Sequence, residues 1–142
     1  MAQLVTRNEP VEVSFPLPRS MDARVHLSLI TREKSIIAFV TTTTPEAKGS
    51  TPMGSFVYAL PNSLKPSEPL ATALFTVEST LEFATRLAKL LAKKTHLPVY
   101  VSSSLRLEAA AMGGNVEEEM EAFKKIVDIS LKVLQPAISA AS

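Results

Sequence analysis

The chain has 142 residues, of which 46% are hydrophobic and 20% charged, and its mean hydropathy is +0.16. This composition is typical of a soluble globular domain, and the length suffices for one domain with a substantial core. A net charge of +1 gives no electrostatic basis for binding nucleic acid or an anionic membrane surface. The lack of cysteine excludes disulfide bonds and Cys-ligated metal.

The sequence shows no targeting or membrane-spanning segment. The N-terminus, MAQLVTRNEP, lacks the apolar run of a signal peptide, and no stretch reaches the ~18 apolar residues that a membrane span needs. We therefore expect one soluble, intracellular domain over residues 1–142, with frayed tails at 1–9 and 136–142.

The first two predicted strands alternate apolar and polar residues. VEVSFPL, residues 11–17, contains Pro16 and follows Pro10, and because proline cannot donate to a sheet ladder, we expect an edge strand here. ARVHLSLIT, residues 23–31, alternates in the same way, which is typical of a strand with one face in the core.

Three further strands are predicted, separated by two loops, of which the first is rich in Thr, Pro and Gly and the second is marked by proline. IIAFV (36–40) and FVYAL (56–60) are continuous apolar runs, which indicates strands covered on both faces. TTTTPEAKGSTPMGS (41–55) and PNSLKPSEP (61–69) have the composition of loops. LATALFTV (70–77) is the fifth predicted strand.

The apolar spacing becomes helical at Ser79. STLE has the form of a capping box, in which Ser79 and Glu82 each bond the other's backbone N–H. Lys93 and Lys94 suit the negative end of the helix dipole. An apolar stripe at helical spacing is formed by Leu81, Ala84, Leu87, Ala88 and Leu91.

A very short joint, THLP (95–98), leads into a sixth strand, VYVSSSL (99–105). The final helix is predicted to have Asn115 as its N-cap and to end at Pro136. Its apolar stripe is formed by Val116, Met120, Phe123, Val127, Leu131 and Leu134, and is widened by Ile126, Ile129 and Val133.

These elements predict an α+β fold with a six-stranded, mainly antiparallel sheet. The order is five strands, helix, strand, helix, and two helices about 10 Å wide can cover one face of six strands spaced about 4.8 Å apart. Nothing remains in the chain to cover the other face, although two of the strands are apolar on both sides. We therefore expect the other face to be used for dimerisation with a second protein.

No constellation in the sequence predicts catalysis. His26 and His96 lack a carboxylate at metal-ligand spacing, and neither the Thr-rich loop nor VSSS matches a phosphate loop or a nucleophile elbow. A basic stripe of Arg86, Lys89 and Lys93 is explained by a solvated helix face, with docking of an acidic partner as the alternative. We expect no enzyme activity, no cofactor and no metal.

Two segments carry a resemblance to a known family. RLAKLLAKKTHLPVYVSSSL (86–105), followed by VEEEMEAF (116–123), resembles the proteasome assembly chaperone 4 family. The likeness is looser over HLSLITREKSIIAFVTTTTPEA (26–47), where the family has its second and third strands.

The resemblance implies a non-catalytic chaperone of 20S proteasome alpha-ring assembly. It further implies a heterodimer with a sister subunit like proteasome assembly chaperone 3, binding of the fifth alpha-type subunit, and a location in the cytoplasm and also in the nucleus. The alternative is a profilin-like or longin-like trafficking scaffold, but that class usually has a helix earlier in the chain.

We predict partner-binding residues on the sheet face opposite the helices. The valines that flank Tyr100 are expected to pack under the helices, which places Tyr100 and Ser102 on the open side. Tyr58 is expected beside them, and Ile37 and Phe39 are expected to form the apolar centre of this face.

Overall fold

The computed structural model describes residues 10–17, 20–43, 53–105 and 116–135. The predicted tails and the predicted N-cap Asn115 lie outside these residues. The α+β class and the predicted element order are confirmed. The described residues form β1 (Val11–Leu17), β2 (Ser20–Thr31), β3 (Ile36–Thr43), β4 (Ser55–Leu60), β5 (Leu70–Phe75), α1 (Glu78–Thr95), β6 (Val99–Ser104) and α2 (Val116–Val133).

The described strands form a single mixed sheet in the order β1-β2-β3-β6-β4-β5. Only β3 and β6 run parallel; every other neighbouring pair in this sheet is antiparallel. As predicted, β1 is an edge strand. The last strand in the sequence, β6, lies between β3 and β4. It thereby joins the antiparallel strands β1, β2 and β3 to the antiparallel pair of β4 and β5.

Both helices lie on one face of the sheet, as predicted. Helix α1 packs on β4, β5 and β6, and α2 lies beside α1 and reaches β1, where the Lys125 ammonium sits 4.7 Å from the centre of the Phe15 ring. The core between the layers is built from alternate strand residues and one stripe of α1. Its fully buried members include Val25, Leu27, Leu29, Ile36, Ala38, Val57, Val99, Val101, Leu87 and Leu91.

The predicted capping box at Ser79 is wrong, because α1 already begins at Glu78 and Val77 occupies the N-cap position. The hydroxyl groups of Ser55, at the start of β4, and of Thr80, in the first turn of α1, hold this helix end instead. Thr80 Oγ1 accepts from the backbone N–H of Ser55 at 3.1 Å and lies 2.9 Å from Ser55 Oγ, which also accepts from the Val77 N–H at 2.9 Å. This buried tertiary contact replaces the local motif.

The short joint after α1 closes without glycine because His96 adopts the left-handed conformation, at φ 58°. Its N–H donates to the Ala92 carbonyl at 2.9 Å, which ends the helix. Thr95 Oγ1 donates to the Leu91 carbonyl at 2.7 Å and accepts from the Leu97 N–H at 3.3 Å. Since Thr95 is fully buried, the joint is a fixed corner of the fold.

The predicted apolar stripe of α2 is partly wrong in phase. The most buried side chains are Ala122, Ile126, Ser130 and Leu134, whereas Met120 is 49% exposed. Phe123, Val127 and Leu131 are only partly buried. The buried side of this helix therefore includes a small residue, Ala122, and a hydroxyl residue, Ser130. A pattern based on large apolar residues alone does not select these two positions.

Candidate functional site

The candidate site is the sheet face opposite α1 and α2, which we call the open face. Strand β3 shows the contrast between the two faces: Ile36, Ala38 and Val40 are at most 2% exposed, whereas Phe39 is 39% exposed and Ile37 is partly exposed. The run 36–40, predicted to be covered on both faces, is therefore covered on one face only by the described residues.

Strand register places all five predicted residues on the open face. Ile37 lies opposite Tyr100 on β6, and Phe39 lies opposite Ser102. Tyr58 on β4 lies opposite Tyr100 from the other side. Because paired residues on neighbouring strands point to the same face, the five positions form one continuous area across β3, β6 and β4.

Stacked aromatic rings form the centre of this area. The rings of Tyr58 and Tyr100 are 4.5 Å apart between centroids at an interplanar angle of 28°, and those of Phe56 and Tyr100 are 5.9 Å apart at 20°. Together with Phe39 and Ile37 they make up what we call the aromatic patch. Phe56 was not predicted, although it lies two residues before Tyr58 and strand alternation alone would have placed it on the same face.

The packing around Tyr58 affects the pKa of its phenol. Partial burial, followed by the charge of the neighbouring Tyr100 and a hydrogen bond with it, raises the pKa of Tyr58 above its ordinary value of 10.0. Tyrosine is neutral at physiological pH with or without this shift, so Tyr58 can offer an uncharged hydroxyl at the edge of an apolar surface.

Ser102 is on the open face but is only 2% exposed. Its hydroxyl donates to the Met53 carbonyl at 2.7 Å, because the segment leading into β4 crosses this end of β6. The next residue of that segment, Gly54, has φ +73° and lies directly against the Ser103 carbonyl. Ser102 thus anchors this crossing, and the exposed part of the predicted site is formed by the other four residues.

The apolar area extends onto the edge strand β5, which the sequence did not predict. Leu70 lies opposite Leu60, and Phe75 lies opposite Phe56. These three additional side chains, Leu60, Leu70 and Phe75, are 37%, 59% and 55% exposed. They enlarge the aromatic patch toward one edge of the sheet.

The other end of the open face is polar. Strands β1 and β2 contribute Glu12, Ser14, Arg24, His26 and Ser28 to it. The Arg24 guanidinium donates to Ser14 Oγ at 3.1 Å, and His26 Nε2 lies 2.7 Å from Thr43 Oγ1. The open face is thus graded from polar at β1 to apolar at β5.

The described part of the chain offers no group of three or more His, Asp or Glu side chains that could hold a metal ion. None of its helices is both long and apolar enough to cross a membrane. Exposed apolar patches on a folded domain often mark interaction sites, which makes the aromatic patch the candidate site of this chain.

Comparison with known proteins identifies the family. The family model described as proteasome assembly chaperone 4 matches residues 24–105, more than half of the chain, and the chain belongs to this family. The match spans the motif at 86–105 and the looser one at 26–47, and it ends before 116–123. The chain is accordingly a proteasome assembly chaperone, and this non-catalytic family fits the expectation that it is not an enzyme.

The fold has a counterpart among solved structures. A chain from the crystal structure of a novel chaperone complex for yeast 20S proteasome assembly is similar, with a TM-score of 0.54 and 15% sequence identity over 92% of this chain and 97% of that chain. No curated protein matches the sequence. The helix early in the chain that a profilin-like or longin-like scaffold would usually have is not found among the described residues, where five strands precede α1.

Proposed function

We propose that this chain pairs, through the open face of its sheet, with a sister chaperone resembling proteasome assembly chaperone 3. The pair then binds the fifth alpha-type subunit and promotes assembly of the 20S alpha ring. Membership of the proteasome assembly chaperone 4 family supports the role in proteasome assembly. The similar yeast chain comes from a chaperone complex, which supports the proposal that this chain has a partner.

The observation that carries the pairing surface is the aromatic patch. Phe39 lies on a central strand and is nevertheless 39% exposed, next to the stacked rings of Tyr58 and Tyr100. A standard interface buries about 800 Å² on each partner, and a few large aromatic residues near its centre usually supply most of the affinity. The patch has the composition of such a centre.

Phe39→Asp and Tyr100→Asp test the proposal. Each carboxylate would meet water in the isolated chain, but in a sheet-to-sheet contact it would be buried without a partner, which costs several kcal/mol. We expect both variants to fold and neither to co-purify with the sister chaperone on co-expression. Far-UV circular dichroism monitors the fold, and size-exclusion chromatography monitors the pair.

Leu64→Asp is the matched control, since Leu64 is 91% exposed in the loop between β4 and β5. It introduces the same charge in place of an apolar side chain, and we expect it to pair normally. If Phe39→Asp folds and still pairs, the open face is not the pairing surface. A folded wild-type pair that captures no alpha-type subunit would instead refute the proposed client.

A further inference from the structure

A second surface lies on the helix side of the sheet, in a groove between α1 and the residues that precede and begin β5. One wall is formed by Arg86, Lys89 and Lys93 of α1, and the opposite wall by residues 67–70. Leu90 and Phe123 also line this groove. We call this the basic groove.

The positive charge of the basic groove is local. Its lining has three cations and a single carboxylate, that of Glu68, which is already 4.0 Å from the Lys65 ammonium. Lys89 and Lys93 form no ion pair with any described residue. Because the whole chain carries a net charge of only +1, this concentration does not reflect a generally basic surface.

The cations are arranged along one line. Positions 86, 89 and 93 share a helix face and span about 10 Å at 1.5 Å per residue. The Arg86 side chain is held in place, with its guanidinium 5.1 Å from the centre of the Phe123 ring and 4.0 Å from the Glu82 carboxylate. Of the three, only Lys93 lies in the last turn, where the helix dipole alone would account for a cation.

Apolar side chains accompany this line of charge. Phe123 and Leu90 line the groove and are partly buried. A ligand with carboxylates alone would leave these side chains unused. The groove therefore suits a segment that combines carboxylates with at least one apolar side chain.

We propose that the basic groove binds an acidic segment of a protein partner, carrying an apolar residue that packs on Leu90 and Phe123. This goes beyond pairing through the open face, because α1 lies on the other side of the sheet and both surfaces can be occupied at once. Three cations around an apolar floor suit carboxylates better than a nucleic acid backbone, which requires a larger basic area.

The test uses the full chain and a fluorescein-labelled peptide, Glu-Glu-Leu-Glu-Glu-Phe, with binding followed by fluorescence anisotropy at several salt concentrations. We expect saturable binding that weakens as salt rises. The double variant Lys89→Glu with Lys93→Glu should bind at least about tenfold more weakly, because two attractive contacts become repulsive. Circular dichroism should show an unchanged fold.

The matched control is Lys34→Glu with Lys132→Glu, which reverses two exposed lysines elsewhere, one of them also in the last turn of a helix. We expect this control to bind like the wild type. Equal loss in both double variants, or no binding by the wild type, would overturn the proposal. Equal binding of a peptide with Ser in place of Leu and Phe would overturn the apolar contact, and binding of phosphatidylserine vesicles without peptide binding would assign the groove to lipid.

Discussion

Replacing Leu87 by Ala tests how α1 is held on the sheet. Leu87 is fully buried in α1, within the core formed with β4 and β6. Losing the equivalent of about three methylene groups, at about 0.8 kcal/mol each, removes roughly 2.4 kcal/mol of transfer free energy. The helical neighbours Ala84 and Ala88 are too small to fill the space, and the strands are fixed by their ladders, so a cavity term adds to this loss. We expect a total of about 3–4 kcal/mol, within the range typical of buried Leu→Ala changes.

Urea denaturation followed by far-UV circular dichroism measures this loss, since the chain has no Trp and only two Tyr. The matched control is Leu64→Ala, which makes the same change at a side chain that is 91% exposed and should alter the free energy of unfolding by less than about 0.5 kcal/mol. A loss below about 2 kcal/mol for Leu87→Ala, at unchanged denaturant dependence, would refute the packing described for α1. So would equal losses in the two variants.

Two further predictions concern the start of β4 and of α1, and the same denaturation assay measures both. Ser55→Ala should lower the free energy of unfolding by about 1–2 kcal/mol, because the partly buried Val77 N–H loses its acceptor and Thr80 Oγ1 loses one of its hydrogen-bond partners. Ser79→Ala should lower it by less than about 0.5 kcal/mol. Equal losses of unfolding free energy in the two variants would mean that Ser79 does act as the N-cap of α1. Gly54→Ala should lower the free energy of unfolding by more than about 1 kcal/mol, because φ is +73° and a Cβ would collide with the backbone of Ser103. An unchanged free energy of unfolding would mean that the segment around Gly54 moves freely away from β6.

Most of the fold follows from the spacing of apolar residues along the chain. Alternation and apolar runs identified the six strands, and β1, β3, β4 and β6 each place alternate residues in the core, whereas the edge strand β5 is mostly exposed. Two helix features that this reasoning missed are decided by tertiary contacts. The start of α1 is held by Ser55, 25 positions away from Thr80, and the buried side of α2 includes Ser130, which no hydrophobic count would select.

The sheet face on which the candidate site lies could be predicted from the sequence, but the full set of residues that form the site could not. Alternation around Tyr100 and within β3 placed Ile37, Phe39, Tyr58 and Tyr100 on the face away from the helices, and strand register agrees. The burial of Ser102 depends on a carbonyl 49 positions away, and the contribution of β5 depends on strand order. Neither is encoded in local spacing, so both required the structure.

Strand β6 connects the two surfaces that we assign to partners. Its valines, Val99 and Val101, are fully buried under the helices, whereas Tyr100 between them stacks in the aromatic patch. The glycine-free joint fixes β6 to the end of α1, and α1 in turn carries the cations of the basic groove. Both surfaces therefore belong to one rigid unit and need little ordering when a partner binds, which lowers the entropic cost of association. Under these two proposals, both partners would be held in a fixed relative orientation, because α1 is packed on the sheet through its buried stripe and is also joined tightly to β6 at residues 95–98.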